Sequence, residues 1–366
     1  MVSFTPTEDQ QLLIDTIRRY AENDVRPIAH EADEDSHMPD DVVQTGWELG
    51  LIPTVIPEEL GGFGDELSAV TGALIAEELA YGDLSLAVTL MAPALFAYPL
   101  ILYGTAEQRE ELLPMFLEEE PAKASAALLE PGIFFDANEL KTTASLEGDQ
   151  VRINGVKAYV PLGDEAHKLL VYARSSESGQ TEAYIVDREA DGVKVEGEEK
   201  LMGLRAAPLY RMQFEDVTLP LSARLGGAVG ADFNAILNRQ RVALAAMAVG
   251  VARAAFEYAR EYAKERVQFG KPIAQNQAIA FMLAESAIEI DAARLMVWEA
   301  AWKLDQGEDA TREAVLAKQY ADKAVLFVTD NGVQTLGGYG FIREYPAERW
   351  LRNGRGFPTF DGLAIV

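Results

Sequence analysis

The sequence contains no cysteine, which removes thiol nucleophiles, disulfides and thiolate metal sites from consideration. Histidine is nearly missing too. His30, His37 and His167 are the three present, and no pair has a metal-binding spacing such as HExxH. Each reads as an ordinary surface or core histidine, and a histidine-based triad is not supported. Basic residues are scarce: 32 Lys and Arg stand against 59 Asp and Glu, for a formal net charge of −27. Nucleic-acid affinity comes from clustered cations that neutralise phosphates, so this field disfavours nucleic acid and anionic membranes. An anionic small ligand would need local Arg, Lys or helix N-termini. Long unbroken apolar runs are also lacking. The stretch SLAVTLMAPALFAYPLILYG carries two prolines and polar breaks, and reads as buried helix turned at Pro93 or Pro99 rather than as a membrane span. The N-terminus MVSFTPTEDQQ has neither a signal-peptide nor a transit-peptide pattern, so a cytoplasmic location is expected. Chemistry is left to carboxylates, hydroxyls or a bound cofactor.

What is present is a globular composition, 49% hydrophobic and 25% charged over 366 residues, enough for two or three domains with a large core. Residues up to about 120 read as helical. Thr7 followed by Gln10 is a capping-box signature, and Leu12, Leu13, Ile17, Tyr20 and Ala21 fall on one helical face. LSAVTGALIAEELAYGD predicts a helix ending near Gly82, and AEQREELLPMFLEEE a further short one. Between roughly 122 and 220 the period becomes that of strands. VRINGVKAYV places Asn154-Gly155, a strong hairpin signal, between alternating residues; KLLVYARSS, TEAYIVDRE, VKVEGEE and YRMQFEDVTLP follow as strand-length runs. From about 228 three long helical patterns and the shorter EYPAERWLRNG suggest a four-helix bundle. The expected fold is mainly α with a central β domain of barrel or sandwich type: an N-terminal α-helical domain over 1–120, the β domain over 121–225 and the bundle over 226–366.

Three local motifs are weak singly. RVQFGKPI reads as a helix terminus closed by Gly270, with Pro272 preventing continuation, and QTLGGYGF as another glycine-closed helix end. PEELGGFGD reads as a turn. None follows a strand in the manner of a Rossmann phosphate loop, which argues against a nicotinamide dinucleotide. In this order and on this α-β-α frame, however, they carry a resemblance. With GTAEQREELLP, LLEPGIFFD, INGVKAYV, MGLR, FEDVTLP and QTLGGYGFIREYPAERWLR, the chain resembles the acyl-CoA dehydrogenase family of flavoproteins over essentially its whole length.

The resemblance implies FAD as cofactor and α,β-dehydrogenation of an acyl-CoA thioester. It places Arg266 and Phe269 of RVQFG, with Gln334, Gly337 and Gly338 of QTLGG, against the pyrophosphate and adenine of an FAD bound by a neighbouring subunit. A guanidinium pairs with phosphate, and glycines permit close backbone approach. Sharing of this kind implies an oligomer, a homotetramer or a heterotetramer with a homologous chain. Arg241 matches an arginine near the acyl-CoA pocket; a helix charge facing solvent is its plain alternative. FDGL stands where the family carries its usual glutamate base, so Asp361 takes the catalytic position, with Gly362 beside it in the substrate site. The other position at which members carry the base is here Gln240, which cannot act as one. Electron-transfer flavoprotein is the implied acceptor.

The departures from the family cluster on the flavin side. Leu129 replaces a threonine that hydrogen-bonds the flavin, and Phe135 replaces a serine in the loop that shapes the substrate site. Tyr159 and Pro161 stand where tryptophan and threonine are common. Tyrosine can still stack on the ring; leucine and proline offer no side-chain hydrogen bond. Two readings stay open at this point: a divergent, self-sufficient dehydrogenase, or one subunit of a heteromeric enzyme lending its Arg266/Gln334 half-site to a partner. A flavin-dependent oxidase or a non-catalytic CoA-binding scaffold is the reading from a different class.

Overall fold

A computed structural model describes residues 5–366. The predicted capping box opens α1 (Glu8–Tyr20): the Gln10 amide donates to the Thr7 hydroxyl at 3.2 Å, and the Thr7 amide donates back to the Gln10 side chain at 3.0 Å. Ile14, Ile17, Tyr20 and Ala21 form the buried face, whereas Leu12, expected on it, points to solvent at 65% exposure. The remainder of the first domain comprises α2 (Ala29–Asp35), α3 (Asp40–Trp47), α4 (Ala69–Gly82), α5 (Leu84–Met91), α6 (Ala94–Tyr103) and α7 (Ala106–Leu112). The apolar stretch breaks at Pro93, which caps α6, while Pro99 sits inside that helix and does not turn it away.

The β domain is a seven-stranded sheet: β1 (Ala124–Ala127), β2 (Thr143–Glu147), β3 (Gln150–Pro161), β4 (Lys168–Ser175), β5 (Thr181–Asp187), β6 (Val193–Glu198) and β7 (Leu209–Pro220). Its order is β1-β4-β2-β3-β7-β6, with β5 also pairing β4. The hairpin expected at Asn154-Gly155 is not there. The β2–β3 turn lies at Gly148-Asp149, because Glu147 pairs with Gln150. Asn154-Gly155 sits inside β3 at a register shift against β7, where the Asn154 side-chain Oδ1 accepts the Asp216 amide at 2.8 Å. The side chain that would suit a turn bridges a bulge instead.

The third domain returns to long helices: α8 (Phe233–Glu265), α9 (Gln277–Asp305) and α10 (Thr311–Leu336), then α11 (Gly338–Phe341) and α12 (Ala347–Gly354). By length and apolar composition α8 could cross a membrane, but 83% of its most apolar window is buried inside the protein; it is the central core helix. Arg253 on α8 donates to Glu77 and Glu78 of α4 at 2.6–2.8 Å. Arg18 of α1 and Arg294 of α9 complete that network. The first and third domains are thereby locked together behind one apolar core that runs through α4, α8 and α10.

RVQFGKPI does not end as expected. α8 stops at Glu265, and the motif forms a minimal hairpin, β8 (Val267–Gln268) paired with β9 (Lys271–Pro272). Phe269 and Gly270 are its turn, with φ of 54° and 80°, the conformation that two-residue hairpins demand. QTLGG behaves as predicted: α10 ends at Leu336, and Gly337 leaves the helix with φ 61°.

Candidate active site

Asp361 is carried on the loop after α12. Phe357 and Phe360 anchor that loop in the core, their rings 6.4 Å apart and edge-on. Gly362 follows with φ 66°, and a Cβ there would stand 2.9 Å from the Cβ of Leu128. A side chain at 362 would therefore push the loop off β1, so glycine fixes how closely Asp361 approaches the sheet. On the other side the loop is held by Lys318 of α10, whose ammonium donates to the Phe357 carbonyl at 2.6 Å and to both carboxylate oxygens of Asp322 at 2.8 Å.

Burial pushes the Asp361 carboxyl above the usual carboxylate range. The positive charges of Lys318 and Arg241 oppose that shift, and Asp136 adds to it. Arg241 of α8 is half-buried, and its charge acts on the Asp361 carboxyl. Gln240, beside it, is fully buried. Lys318, Asp322 and Asp136 are the neighbours of Asp361 that sequence patterns did not disclose. Each lies far from residue 361 in the chain, and no pattern in the sequence links them to it.

The flavin-side residues gather on the same rim. Leu129 is buried just after β1, and its carbonyl accepts the Ala158 amide at 2.9 Å. Tyr159 has φ 54° at a second register shift of the β3–β7 pairing, and a bulge of this kind re-aims a side chain. Its ring faces Phe360 edge-on at 6.5 Å, on the loop that carries Asp361. Phe135 is half-buried, packing against apolar clusters of both the first and third domains, while Asp136 next to it is exposed. Beneath them lies the buried pair Lys157–Glu130. The Lys157 ammonium donates to Glu130 and to the Leu128 carbonyl, both at 3.0 Å, and Glu130 in turn accepts the amides of Lys141 and Thr142. MGLR closes the rim: the Leu204 amide donates to Asn353 of α12 at 2.9 Å.

The dinucleotide motifs form a separate cleft of about 470 Å³ at the far end of α8 and α10. Arg266, Phe269, Gly337 and Gly338 line it with Tyr262 and Tyr339. Gln334 is exposed one turn before Gly337 and is not in the lining. Among the described residues Arg266 makes no ion pair, a Cβ at Gly337 or Gly338 would meet open space, and Phe269 is 96% exposed. An uncompensated guanidinium beside bare backbone and an unpacked ring fits the pyrophosphate and adenine of FAD. A larger cleft of about 680 Å³, lined in part by Asp40, Asp41, Glu165 and Glu198, lies between α3 and the β domain and contains none of these motifs.

Family profiles match the chain almost end to end: "Acyl-CoA dehydrogenase, N-terminal domain" over 7–120, "middle domain" over 125–217 and "C-terminal domain" over 231–364. Among curated relatives, the caffeyl-CoA reductase-Etf complex subunit CarC of Acetobacterium woodii is 36% identical, across 98% of this chain and 96% of its own. The 3-(aryl)acrylate reductase of Clostridium sporogenes is 35% identical over the same shares. Among solved structures, butyryl-CoA dehydrogenase from Megasphaera elsdenii superimposes with a TM-score of 0.89 at 31% identity, across 99% of this chain and 96% of that one. The three-domain fold and these matches agree: the chain belongs to the acyl-CoA dehydrogenase family and is an FAD-dependent oxidoreductase acting on CH–CH bonds.

Proposed function

We propose that the protein catalyses α,β-dehydrogenation of an acyl-CoA thioester, with Asp361 as the base that removes the α-proton. One observation carries this reading: Asp361 is a largely buried carboxylate, held above its usual range, on the loop that packs against the β-domain rim. A base of raised proton affinity is better matched to a weak carbon acid than a solvated aspartate is. FAD, when bound, supplies the acceptor for the β-hydride. Arg241 contributes positive charge beside the base on the acyl-CoA side. Tyr159 offers an aromatic face to the flavin, and the contacts at Leu129 and Pro161 come from backbone alone.

The adenine-side residues serve a second chain. Arg241 and Arg266 flank about seven turns of one helix, a separation of about 37 Å, so the half-site of a chain lies far from its own base. The exposed apolar residues Phe281, Ile288 and Leu295 of α9 recur every seventh position, a stripe suited to association of copies. A homotetramer of cytoplasmic location is the reading adopted here. CarC, the relative named for an Etf complex, supports an electron-transfer flavoprotein as redox partner. Because two of the relatives are named as reductases, the same residues are also read in reverse, with Asp361 returning the α-proton to an enoyl or aryl-acryloyl thioester.

The test is the visible spectrum of the purified protein before and after a panel of straight-chain, cyclic and aryl-substituted acyl-CoA esters. Purification with close to one FAD per subunit and bleaching by at least one ester is the expected result. A flavin-free protein that gains FAD only with a homologous chain would establish the heteromer instead. Oxygen consumption with and without an artificial acceptor separates an oxidase from a dehydrogenase.

A further inference from the structure

We propose that Asp322 is a positioning residue for Asp361: by holding the Lys318 ammonium in a two-oxygen ion pair, it keeps that cation directed at the Phe357 carbonyl and away from the base carboxylate. The inference rests on Asp361 being the base.

The geometry has three parts. Lys318 is only 7% exposed, so its charge must be compensated inside the protein. Asp322, one helical turn on in α10, engages it through both oxygens at 2.8 Å. The remaining donor capacity goes to the Phe357 carbonyl at 2.6 Å, four residues before Asp361. One ammonium thus does two jobs, neutralising Asp322 and pinning the loop that presents the base. A lysine has three donors and no acceptor. With two donors spent on Asp322 and one on Phe357, none is left for Asp361.

The charges that act on Asp361 are those of Lys318 from α10, Arg241 from α8 and Asp136 from the loop between β1 and β2, and Asp361 in turn acts on Asp322. Burial raises the carboxyls of both Asp322 and Asp361, and the negative charge of Asp361 adds to the rise at Asp322. The cluster therefore holds two carboxylates against one lysine. Asp322 takes two donors of the lysine, and both carboxyls stand above the usual carboxylate range.

Neutralising Asp322 removes a negative neighbour and frees Lys318 to turn toward Asp361. Both effects favour the ionised base, which then holds its proton less well. Removing Lys318 acts in the opposite sense. A residue that merely packs would not produce shifts of opposite sign.

The experiment is a titration of the Asp361 carboxyl in the FAD-bound protein, by infrared spectroscopy with isotope-labelled aspartate. The Asp361 band is identified as the one lost in Asp361→Asn. Asp322→Asn is expected to move the titration midpoint to lower pH by about one pH unit, and Lys318→Met to move it higher. With whichever ester bleaches the flavin, the acidic limb of the pH–rate profile should move with the infrared midpoint. Should Asp322→Asn not fold, Asp322→Ser replaces it, with the same downward shift expected and an unmoved midpoint overturning the inference. A midpoint unmoved in the folded variants, even with altered thermal stability, overturns the inference. Retained bleaching in Asp361→Asn overturns the base assignment itself and is read separately from both midpoints.

Discussion

The guanidinium of Arg266 stands 5.3 Å from the centroid of the Tyr339 ring, so the last residue before the β8–β9 hairpin is braced against the short α11 segment after α10. The contact orients a cation that has no carboxylate partner among the described residues, across a cleft floored by Gly337 and Gly338. Cation–π contacts at exposed sites contribute about 0.5–1 kcal/mol, sufficient to orient the side chain but not to neutralise it. The charge remains available to an anionic ligand.

Arg266→Ala is therefore expected to weaken FAD retention by about 10- to 100-fold, the loss of one charge-assisted contact to pyrophosphate. The ratio of flavin to protein absorbance after extensive dialysis measures it, with light scattering for oligomer size. If retention and size are both unchanged, the cleft does not hold the dinucleotide.

Asp361→Asn keeps shape and polarity while removing the base, and is expected to slow flavin bleaching by about 10²–10⁴-fold with FAD still bound. In the native protein activity should fall on the acid side through a midpoint above the ordinary carboxylate range, because burial raises the Asp361 carboxyl and the base must be ionised to act. Asp361→Glu adds one methylene beside Gly362, where Leu128 already packs closely. It is expected to retain part of the activity and to change acyl preference, as measured with the same panel of esters.

Lys157→Met leaves the Glu130 carboxylate without its buried cation. Breaking a buried pair from one side costs about 3–5 kcal/mol, so urea unfolding of the variant should shift by that order. Pairing it with Glu130→Gln should recover part of the loss. A single variant as stable as the native protein would show that the amides of Lys141 and Thr142 satisfy Glu130 unaided.

Acid should weaken the contact between the first and third domains. Burial alone would raise the Glu78 carboxyl, but hydrogen bonds from Arg253 and Arg18 outweigh it and hold the group below its usual value. At Asp33 burial is likewise outweighed, by Arg352. A folded-state value lying below the unfolded one gives stability that is complete above the ordinary carboxylate range and is lost as pH falls through the depressed value. Urea melts across pH 3–7 should show a fall that begins at about pH 5, and a shallower one in Glu78→Gln. An identical slope in the variant would remove Glu78 from the account.

The sequence alone determined the domain order, the long helices and the helix ends, because those features are local. Thr7 and Gln10 cap α1 from three residues apart, the apolar repeat of α8 runs for nine turns, and Gly337 ends α10 where a left-handed residue is needed. Local signals misled where long-range pairing overrode them. Asn154-Gly155 would suit a turn, but β3 continues through it because β7 lies alongside and Asp216 takes the Asn154 side chain. Gly270 closes a hairpin rather than a helix, since Lys271 and Pro272 return against Val267 and Gln268. The neighbours of Asp361 were decided only by tertiary structure. Lys318 and Asp322 come from α10, Arg241 from α8 and Asp136 from the β domain, and no spacing in the chain encodes their convergence. Proton affinity depends on burial and on charges brought close in space, so the sequence could nominate Asp361 while the packing of α8, α10 and β1 set its chemistry.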